Sequence, residues 1–135
     1  MTDFDARTTS NMVNVEDKEA VKRLINEYTF DDACPELIEE ESERTEEGLG
    51  IYGYSWFAAE RNVCIDENED ELKEEEKTYE SEDMTEEFLN RLAKIIPRGE
   101  ILEIHEIGVE GLRFPFCVCK IKVEGHCSAE FETFF

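Results

Sequence analysis

The chain has 135 residues and a formal net charge of −22, from 36 acidic and 14 basic residues. This length is typical of one domain and permits a hydrophobic core that needs no disulfide or metal support. The charge disfavours direct binding to nucleic acid and to anionic membranes, and no segment approaches the roughly 20 apolar residues of a transmembrane helix.

The first third of the chain predicts a strand and an amphipathic helix. Residues 1–10 lack the basic and apolar regions of a secretory signal, so we expect a flexible N-terminus and a cytoplasmic protein. Residues 11–15 alternate between polar and apolar side chains, as in a strand. Residues 36–44 are compatible with a short polar helix. Residues 17–28 have helical periodicity, with an apolar stripe formed by Ala20, Val21, Leu24, Ile25 and Tyr28.

Residues 49–57 form the most aromatic segment of the chain. Their composition favours a strand, which we expect to continue through residues 63–65 as a hairpin partner. Gly50 and Gly53 indicate a bulge or a close approach of two backbone segments. The aromatic side chains fit either a core or a platform on which a ligand stacks, and we favour the core.

The second half predicts a helix followed by three strands. Thr85 is a suitable N-cap for the helix, and Pro97 and Gly99 end it. The inner face of this helix consists of Phe88, Leu89, Leu92, Ala93, Ile95 and Ile96. The strands are expected at residues 101–107, 112–123 and 127–134, with a turn at residues 108–111. Pro115 interrupts the middle strand, which fits an edge position or a bulge.

Together these elements predict a single α+β domain over residues 1–135. We expect an antiparallel sheet of four to five strands, two amphipathic helices packed on one face, and acidic loops. Residues 31–47 hold nine acids and one base, and residues 66–83 hold eleven acids and two bases, so these two runs carry −17 of the net charge. The second run contains only Leu72 and Tyr79 as sizeable apolar groups. We therefore expect it to be exposed or mobile and not to be required for the fold.

The five cysteines are Cys34, Cys64, Cys117, Cys119 and Cys127. Without a secretory signal, we expect them to be reduced. Cys117 and Cys119 lie in a predicted strand, so we expect both side chains on one face. A zinc site would need Cys127 and either His105 or His126 as well. Structural zinc sites have paired ligands at short spacing, and the chain has no second pair, so we expect buried thiols and no metal.

Motifs of catalytic chemistry are absent. The sequence contains no G-x-G-x-x-G, P-loop, H-E-x-x-H or G-x-S-x-G pattern. Asp66 opens a run of oxygen ligands with EF-hand spacing, but Glu71 stands where glycine is needed and Lys77 where a bidentate glutamate is needed. A cysteine–histidine pair brought together by folding stays open. We expect a protein that is not an enzyme and has no cofactor.

The charge runs favour a binding function, because a field of one sign steers partners of the opposite sign. Duplex DNA carries one charge per ~1.7 Å of axis, so the seventeen charges match ~29 Å of duplex, a length that one face of such a domain can span. We expect a nucleic-acid mimic that inhibits a basic nucleic-acid-binding protein, such as a phage or plasmid anti-restriction or anti-CRISPR factor. The residues expected to bind this partner are Asp31, Asp32, Glu36, Glu39, Glu40, Glu41, Glu43, Asp66, Glu67, Glu69, Asp70, Glu71, Glu74, Glu75 and Glu76.

Two other interpretations remain open from the sequence. Halophile proteins carry acids over their whole surface, whereas here the acids are clustered and cysteine is frequent. The chain also fits a small adaptor or regulatory protein whose acidic loops are solvated spacers. If the chain is a mimic, neutralising its acids should weaken binding to the partner, and unchanged affinity would contradict that interpretation. The substitutions to Gln are at Glu39, Glu40, Glu41, Glu74, Glu75 and Glu76.

Overall fold

The computed structural model describes residues 4–38, 48–110 and 116–133, and all structural statements concern these residues. They form a mixed fold of helices and antiparallel sheets. The helices are α1 (Lys18–Asn26) and α2 (Thr85–Ile95), and short 3-10 helices occupy Glu69–Glu71 and Glu74–Glu76. The strands are β1 (Phe4–Ser10), β2 (Thr29–Phe30), β3 (Cys34–Ile38), β4 (Gly48–Tyr52), β5 (Ala59–Cys64), β6 (Tyr79–Asp83), β7 (Ile101–Glu110), β8 (Phe116–Glu124) and β9 (Ala129–Thr133).

The strands form three antiparallel sheets. The largest has the order β1-β7-β8-β9, which confirms the predicted four-stranded antiparallel sheet and the meander of the last three strands. The other two have the orders β2-β5-β6 and β3-β4. Isolated bridges from Thr8 to Gly53 and from Val13 to Leu49 connect the β3-β4 pair to the largest sheet along β1 and the segment after it.

Both predicted helices are confirmed, and each begins at an identifiable capping interaction. The Asp17 carboxylate accepts a hydrogen bond from the backbone N–H of Ala20 at 3.0 Å, which satisfies one of the free donors at the start of α1. The prediction of Thr85 as the N-cap of α2 is wrong by one residue, because Met84 holds that position. The carboxylate of Asp83 accepts from the backbone N–H of Thr85 at 2.9 Å and takes over the capping.

One hydrophobic cluster underlies both helices and all three sheets. It combines the buried stripe of α1 with the inner face of α2 and the inward side chains of β4, β7 and β8. Four aromatic rings lie at its centre, where Phe88 meets Tyr28 and Phe30 edge-on at 5.2 Å and Phe30 stacks on Phe57 at 5.9 Å. Such pairs stabilise a core by about 0.5–1.5 kcal/mol beyond the area they bury.

The N-terminal segment differs from the expectation of a flexible tail. Phe4–Ser10 forms β1 and pairs along its whole length with β7, from Phe4 opposite Glu110 to Ser10 opposite Ile104. The strand expected at residues 11–15 is reduced to the single bridge at Val13. The ten-residue β7 offers a long row of backbone donors and acceptors. Residues 4–10 form a strand because they pair with this row, although their local strand propensity is weak.

Three strand assignments in the middle of the chain also need correction. The polar helix expected at residues 36–44 begins instead as β3, and residues 39–47 lie outside the described chain. The aromatic strand ends at Tyr52, and β5 pairs with β2 and β6 rather than with β4. Residues 108–110 continue β7 instead of turning. Gly53 follows the end of β4 and leaves no room for a side chain, because a Cβ there would overlap the backbone of Ala33.

The second acidic run is partly a structural element, contrary to expectation. Tyr79–Asp83 forms β6, which pairs with β5 in register from Cys64 opposite Tyr79 to Glu60 opposite Asp83. All five residues of β6 are exposed, so the strand contributes backbone hydrogen bonds rather than buried area.

The two helices contact different strands. α2 contacts α1, β5, β8 and β9, whereas the strand that α1 contacts most is β3. The packing of both helices on one face of a single sheet therefore stays a prediction.

Candidate partner-binding surface

The second acidic run forms a defined lobe, which we call the acidic lobe (residues 66–83). A hydrogen bond from the backbone N–H of Ile65 to the carbonyl of Thr78, at 3.0 Å, closes the lobe where it leaves β5. The Asp66 carboxylate accepts from the backbone N–H of Thr78 at 2.6 Å and from the Cys64 thiol at 3.5 Å. Asp66 was expected to bind a partner, but here it holds the base of the lobe together.

A second set of contacts braces the lobe from inside. The Tyr79 hydroxyl donates to the Glu74 carboxylate at 2.5 Å, and the Lys77 ammonium lies 3.4 Å from the same carboxylate. The hydrogen bond with Glu74 raises the pKa of Tyr79 to about 12, and the same bond lowers the pKa of Glu74. Glu74 therefore also has an internal partner, unlike most of the acids around it.

The remaining predicted acids of the lobe point to solvent. They are Glu67, Glu69, Asp70, Glu71, Glu75 and Glu76, and all six are exposed. Among the residues that the structure describes, none of the six carboxylates forms an ion pair or a side-chain hydrogen bond. β6 adds Glu80, Glu82 and Asp83, which are exposed as well. The lobe thus presents unpaired negative charge on a hydrogen-bonded scaffold.

The first acidic run lies elsewhere. Asp31 follows β2, whose Phe30 pairs with Ala59 at the start of β5, whereas the acidic lobe follows Cys64 at the end of β5. At ~3.3 Å per residue, the start of the lobe is ~17 Å from the Asp31 end of β5, although β6, the last part of the lobe, runs back alongside β5 as far as Glu60. The acids of residues 66–76 therefore lie away from Asp31, whereas the pairing of β6 with β5 brings Asp83 opposite Glu60, close to β2. Glu39, Glu40, Glu41 and Glu43 lie outside the described residues.

The described acids of the first run flank the exposed loop between β4 and β5, which we call the aromatic loop (residues 53–58). Asp31 lines one groove beside Tyr54, and Asp32 and Glu36 line a second groove on the other side of it. Tyr54 is 75% exposed and Trp56 is 36% exposed. The aromatic segment was predicted from the sequence to fill the core, and this prediction is wrong for Tyr54 and Trp56.

The aromatic loop is held in place by several hydrogen bonds. The backbone N–H of Tyr54 donates to the Asp32 carboxylate at 2.5 Å, so Asp32 anchors the loop. The Ser55 hydroxyl oxygen accepts from the backbone N–H of Ala33 at 2.9 Å, and the Ser55 carbonyl accepts from the buried Thr8 hydroxyl at 2.7 Å. These contacts fix the loop before any partner arrives.

The groove that contains Trp56 combines aromatic and acidic walls. We call it the Trp56 groove, and its volume is about 660 Å³. Its lining residues are Ala6, Phe30, Asp31, Tyr54, Ser55, Trp56, Ala58 and Glu60. Glu60 lies on β5 next to β6 and accepts a hydrogen bond from the Ser81 hydroxyl at 3.3 Å. Glu60 belongs to no sequence motif and was not among the residues predicted to bind a partner.

Another groove, of about 710 Å³ between α1 and α2, is lined by basic side chains rather than by aromatic rings. Three of its lining residues are basic: Arg23, Arg91 and Lys94. The Arg91 guanidinium already contacts the Glu27 carboxylate at 2.6 Å and the Tyr28 hydroxyl at 3.0 Å. Its basic walls make it unsuited to a cationic partner.

Cys117 and Cys119 do not share a face, because β8 contains a bulge. Glu106 pairs with Cys119, whereas the next residue, Ile107, pairs with Cys117, so Val118 is an extra residue in β8. Paired residues of an antiparallel sheet lie on the same face, and successive residues lie on opposite faces. Cys117 therefore lies on the outer face and is exposed, and Cys119 lies on the inner face and packs against the core. The prediction that both face the same side is wrong.

The inner face of β7 carries a carboxyl group, that of Glu106. Burial raises the pKa of this carboxyl, and a hydrogen bond from the backbone of Phe57 opposes the rise. His105 lies on the other face, 2.9 Å from the Glu103 carboxylate, which also contacts Lys120 at 3.0 Å. No group of three or more histidine, cysteine or acidic side chains in the described residues is arranged to hold a metal ion.

Comparison of the chain with protein-family models, with curated proteins and with solved structures found no match. Among the described helices, neither is long and apolar enough to cross a membrane. The surface chemistry of the described residues is therefore what indicates a function.

Proposed function

We propose that the chain is an acidic, non-catalytic binding protein that mimics nucleic acid and inhibits a basic nucleic-acid-binding protein. The observation that supports this proposal most directly is the acidic lobe. Its exposed carboxylates lack internal partners among the described residues, and hydrogen bonds at its base and along β6 hold them in place. A free polyanionic coil would lose more conformational entropy on binding than this lobe does.

The charge density of the lobe supports a comparison with duplex DNA. Residues 66–83 carry a net charge of −9, which corresponds to ~15 Å of duplex axis. The five residues of β6 alone extend ~17 Å, and the loop before them adds to this length. The lobe thus matches the charge of a short duplex segment in order of magnitude.

The proposed partner is a protein with a basic groove for nucleic acid. Nucleases, restriction enzymes, CRISPR effectors and histone-like proteins all present such grooves, and a phage or plasmid anti-restriction or anti-CRISPR factor acts in this way. The inhibitor needs no catalytic residue and no cofactor, because occupying the groove is sufficient. A cytoplasmic location with reduced thiols is part of the same proposal.

The test compares two variants that lose the same charge at different places. The lobe variant replaces Glu69, Glu71, Glu75 and Glu76 with Gln, which spares the bracing carboxylates of Asp66 and Glu74. The matched control replaces four exposed glutamates outside the lobe and outside β9 with Gln: Glu16, Glu19, Glu86 and Glu124. Both variants remove four negative charges.

The assay measures displacement of a fluorescent DNA duplex from purified proteins of the four partner classes. We expect the unmodified chain to displace the duplex from at least one of them. The lobe variant should be about tenfold or more weaker, since four interfacial pairs at ~0.5 kcal/mol each amount to ~2 kcal/mol. The control should displace the duplex normally. Equal losses in both variants, or no displacement from any of the four classes, would contradict the proposal.

A further inference from the structure

The Trp56 groove has the composition of a site for an organic cation. The residues that line it include the aromatic residues Phe30, Tyr54 and Trp56 and the acidic residues Asp31 and Glu60. A cation above an aromatic face is attracted by the quadrupole of the ring, and a nearby carboxylate adds a charge-assisted hydrogen bond. The volume, about 660 Å³, is within the range of sites that hold small ligands or long side chains.

The structure contains an internal example of the expected contact. The Arg7 guanidinium lies over the Tyr54 ring, 5.4 Å from its centroid. Tyr54 thus already binds a guanidinium, and it also lines the Trp56 groove. Arginine is favoured over lysine at such a site because its planar group stacks on rings and bonds a carboxylate with two parallel N–H groups.

The groove is also organised before binding. The hydrogen bonds of Asp32, Ser55 and Thr8 fix the aromatic loop, and Phe30 is held by stacking on Phe57 at 5.9 Å. A rigid site loses little entropy when a side chain enters.

We propose that the Trp56 groove binds an arginine side chain of the partner protein, between the aromatic rings and the carboxylates of Asp31 and Glu60. The basic character of that partner rests on the proposed function. The net charge of −22 attracts a basic partner, while the aromatic walls select the guanidinium group within it. The exposed acids at the start of the lobe then contribute attraction at long range, and the groove contributes a specific contact ~17 Å from them along β5.

Trp56 is the single tryptophan of the chain, so its fluorescence reports directly on the groove. The probe is the tripeptide acetyl-Gly-Arg-Gly-amide. Two control peptides carry lysine, which keeps the charge, or citrulline, which keeps the shape, in place of arginine. We expect a saturable change in emission with the arginine peptide, a response at least threefold weaker with the lysine peptide, and none with the citrulline peptide.

Two variants assign the response to the groove. Asp31→Asn combined with Glu60→Gln should weaken arginine binding at least fivefold, and far-UV circular dichroism checks the fold. Tyr54→Ala removes an exposed ring and should weaken binding as well, which keeps the test decisive if the first variant misfolds. The lobe variant should bind the peptide as the unmodified chain does, because its substitutions are outside the groove.

The inference is overturned by the absence of a saturable response, by equal responses to arginine and lysine, or by unchanged binding in the groove variants. Spermidine giving the same response as the arginine peptide would also overturn it, because charge alone would then suffice. The proposed function fails separately, through the duplex displacement assay. Displacement without a tripeptide response would reject the groove alone, and the reverse result would reject the mimic alone.

Discussion

The twelve residues of the acidic loop (residues 66–77) should be replaceable by Asn-Gly without loss of the fold. The backbone of Ile65 and that of Thr78 already form a hydrogen bond at 3.0 Å, so β5 and β6 end at positions that a two-residue turn can join. Asn-Gly is the favoured sequence for such a turn because both residues adopt positive φ readily. The replacement keeps β6, its pairing with β5 and the Asp83 cap of α2.

The expected change in stability is small because gains and losses nearly cancel. Shortening the loop from twelve residues to two lowers the entropy cost of closure by ~1.6 kcal/mol. Removing the hydrogen bond from Thr78 to Asp66 costs about 1 kcal/mol, and losing the partly buried side chain of Leu72 costs about 1 kcal/mol more. The free energy of unfolding should therefore change by no more than about 1 kcal/mol at high salt.

Salt should separate the electrostatic part of this balance. The acidic loop holds eight acids and two bases, so its removal takes a net charge of −6 from the chain. Less self-repulsion should stabilise the variant relative to the unmodified chain at low salt, and the advantage should disappear as salt screens the charges.

The measurement is urea unfolding in about 0.01 M and about 1 M salt, where the Debye lengths are ~30 Å and ~3 Å. The lobe variant is the control, since it loses four charges but keeps the long loop, and it should show the salt effect without the entropic gain. A loss of cooperative unfolding, or a destabilisation beyond about 3 kcal/mol at high salt, would show that the loop belongs to the core and refute the reasoning.

Three further predictions concern the core and the thiols. Gly125→Ala should lower the free energy of unfolding by about 2–3 kcal/mol in denaturant titrations, because its Cβ would overlap the backbone of the loop after α2. Gly99→Ala should lower it by only about 1 kcal/mol, because Gly99 has a φ of 95° but open space around it. Equal losses in the two variants would contradict the close packing at Gly125. Glu106→Gln should raise the melting temperature at pH 7 by a few degrees, because the folded state resists ionisation of this carboxyl. That gain should shrink as the pH falls through the raised pKa of the folded state towards the ordinary value of 4.5, and it should vanish below 4.5, where both states hold the proton. A gain independent of pH would count against this prediction. The exposed Cys117 should react faster with an aromatic disulfide reagent than Cys119, because burial raises the pKa of the Cys119 thiol. In the time course of thiol modification, Cys117→Ser should remove a fast phase and Cys119→Ser should remove a slow phase.

The helices could be predicted from the sequence because their signals are local. The spacing of Val21 and Leu24 in α1, and of Phe88 and Leu92 in α2, places these side chains on one stripe whatever the rest of the chain does. The strand partners could not be predicted, since pairing depends on which edge is free in the folded molecule. β1 is the clearest case, as its polar sequence pairs fully with β7.

The acidic and aromatic residue types of the candidate site could be predicted from the sequence, but the arrangement of their side chains could not. The acids of residues 66–83 other than Asp66 are exposed as expected, yet the bracing roles of Asp66 and Glu74 depend on contacts across the loop. The bulge at Val118 places Cys117 on the opposite face of the sheet from Cys119, and no sequence pattern predicts this bulge. Glu60 joins the aromatic side chains only through the pairing of β5 with β2.

Glutamates also lie on the edge strands of two sheets, and they affect how the purified protein should aggregate in storage. β6 and β9 are outer strands of their sheets, and each exposes two alternating glutamates, Glu80 and Glu82 on β6 and Glu130 and Glu132 on β9. An outer strand offers unpaired backbone groups to other molecules, and its charges keep those molecules from adding to it. Close to the isoelectric point of about 4.3 this protection is lost. Exposed rings such as Phe131 on β9 should then promote fibril growth, so acidified samples should aggregate by strand addition while still folded.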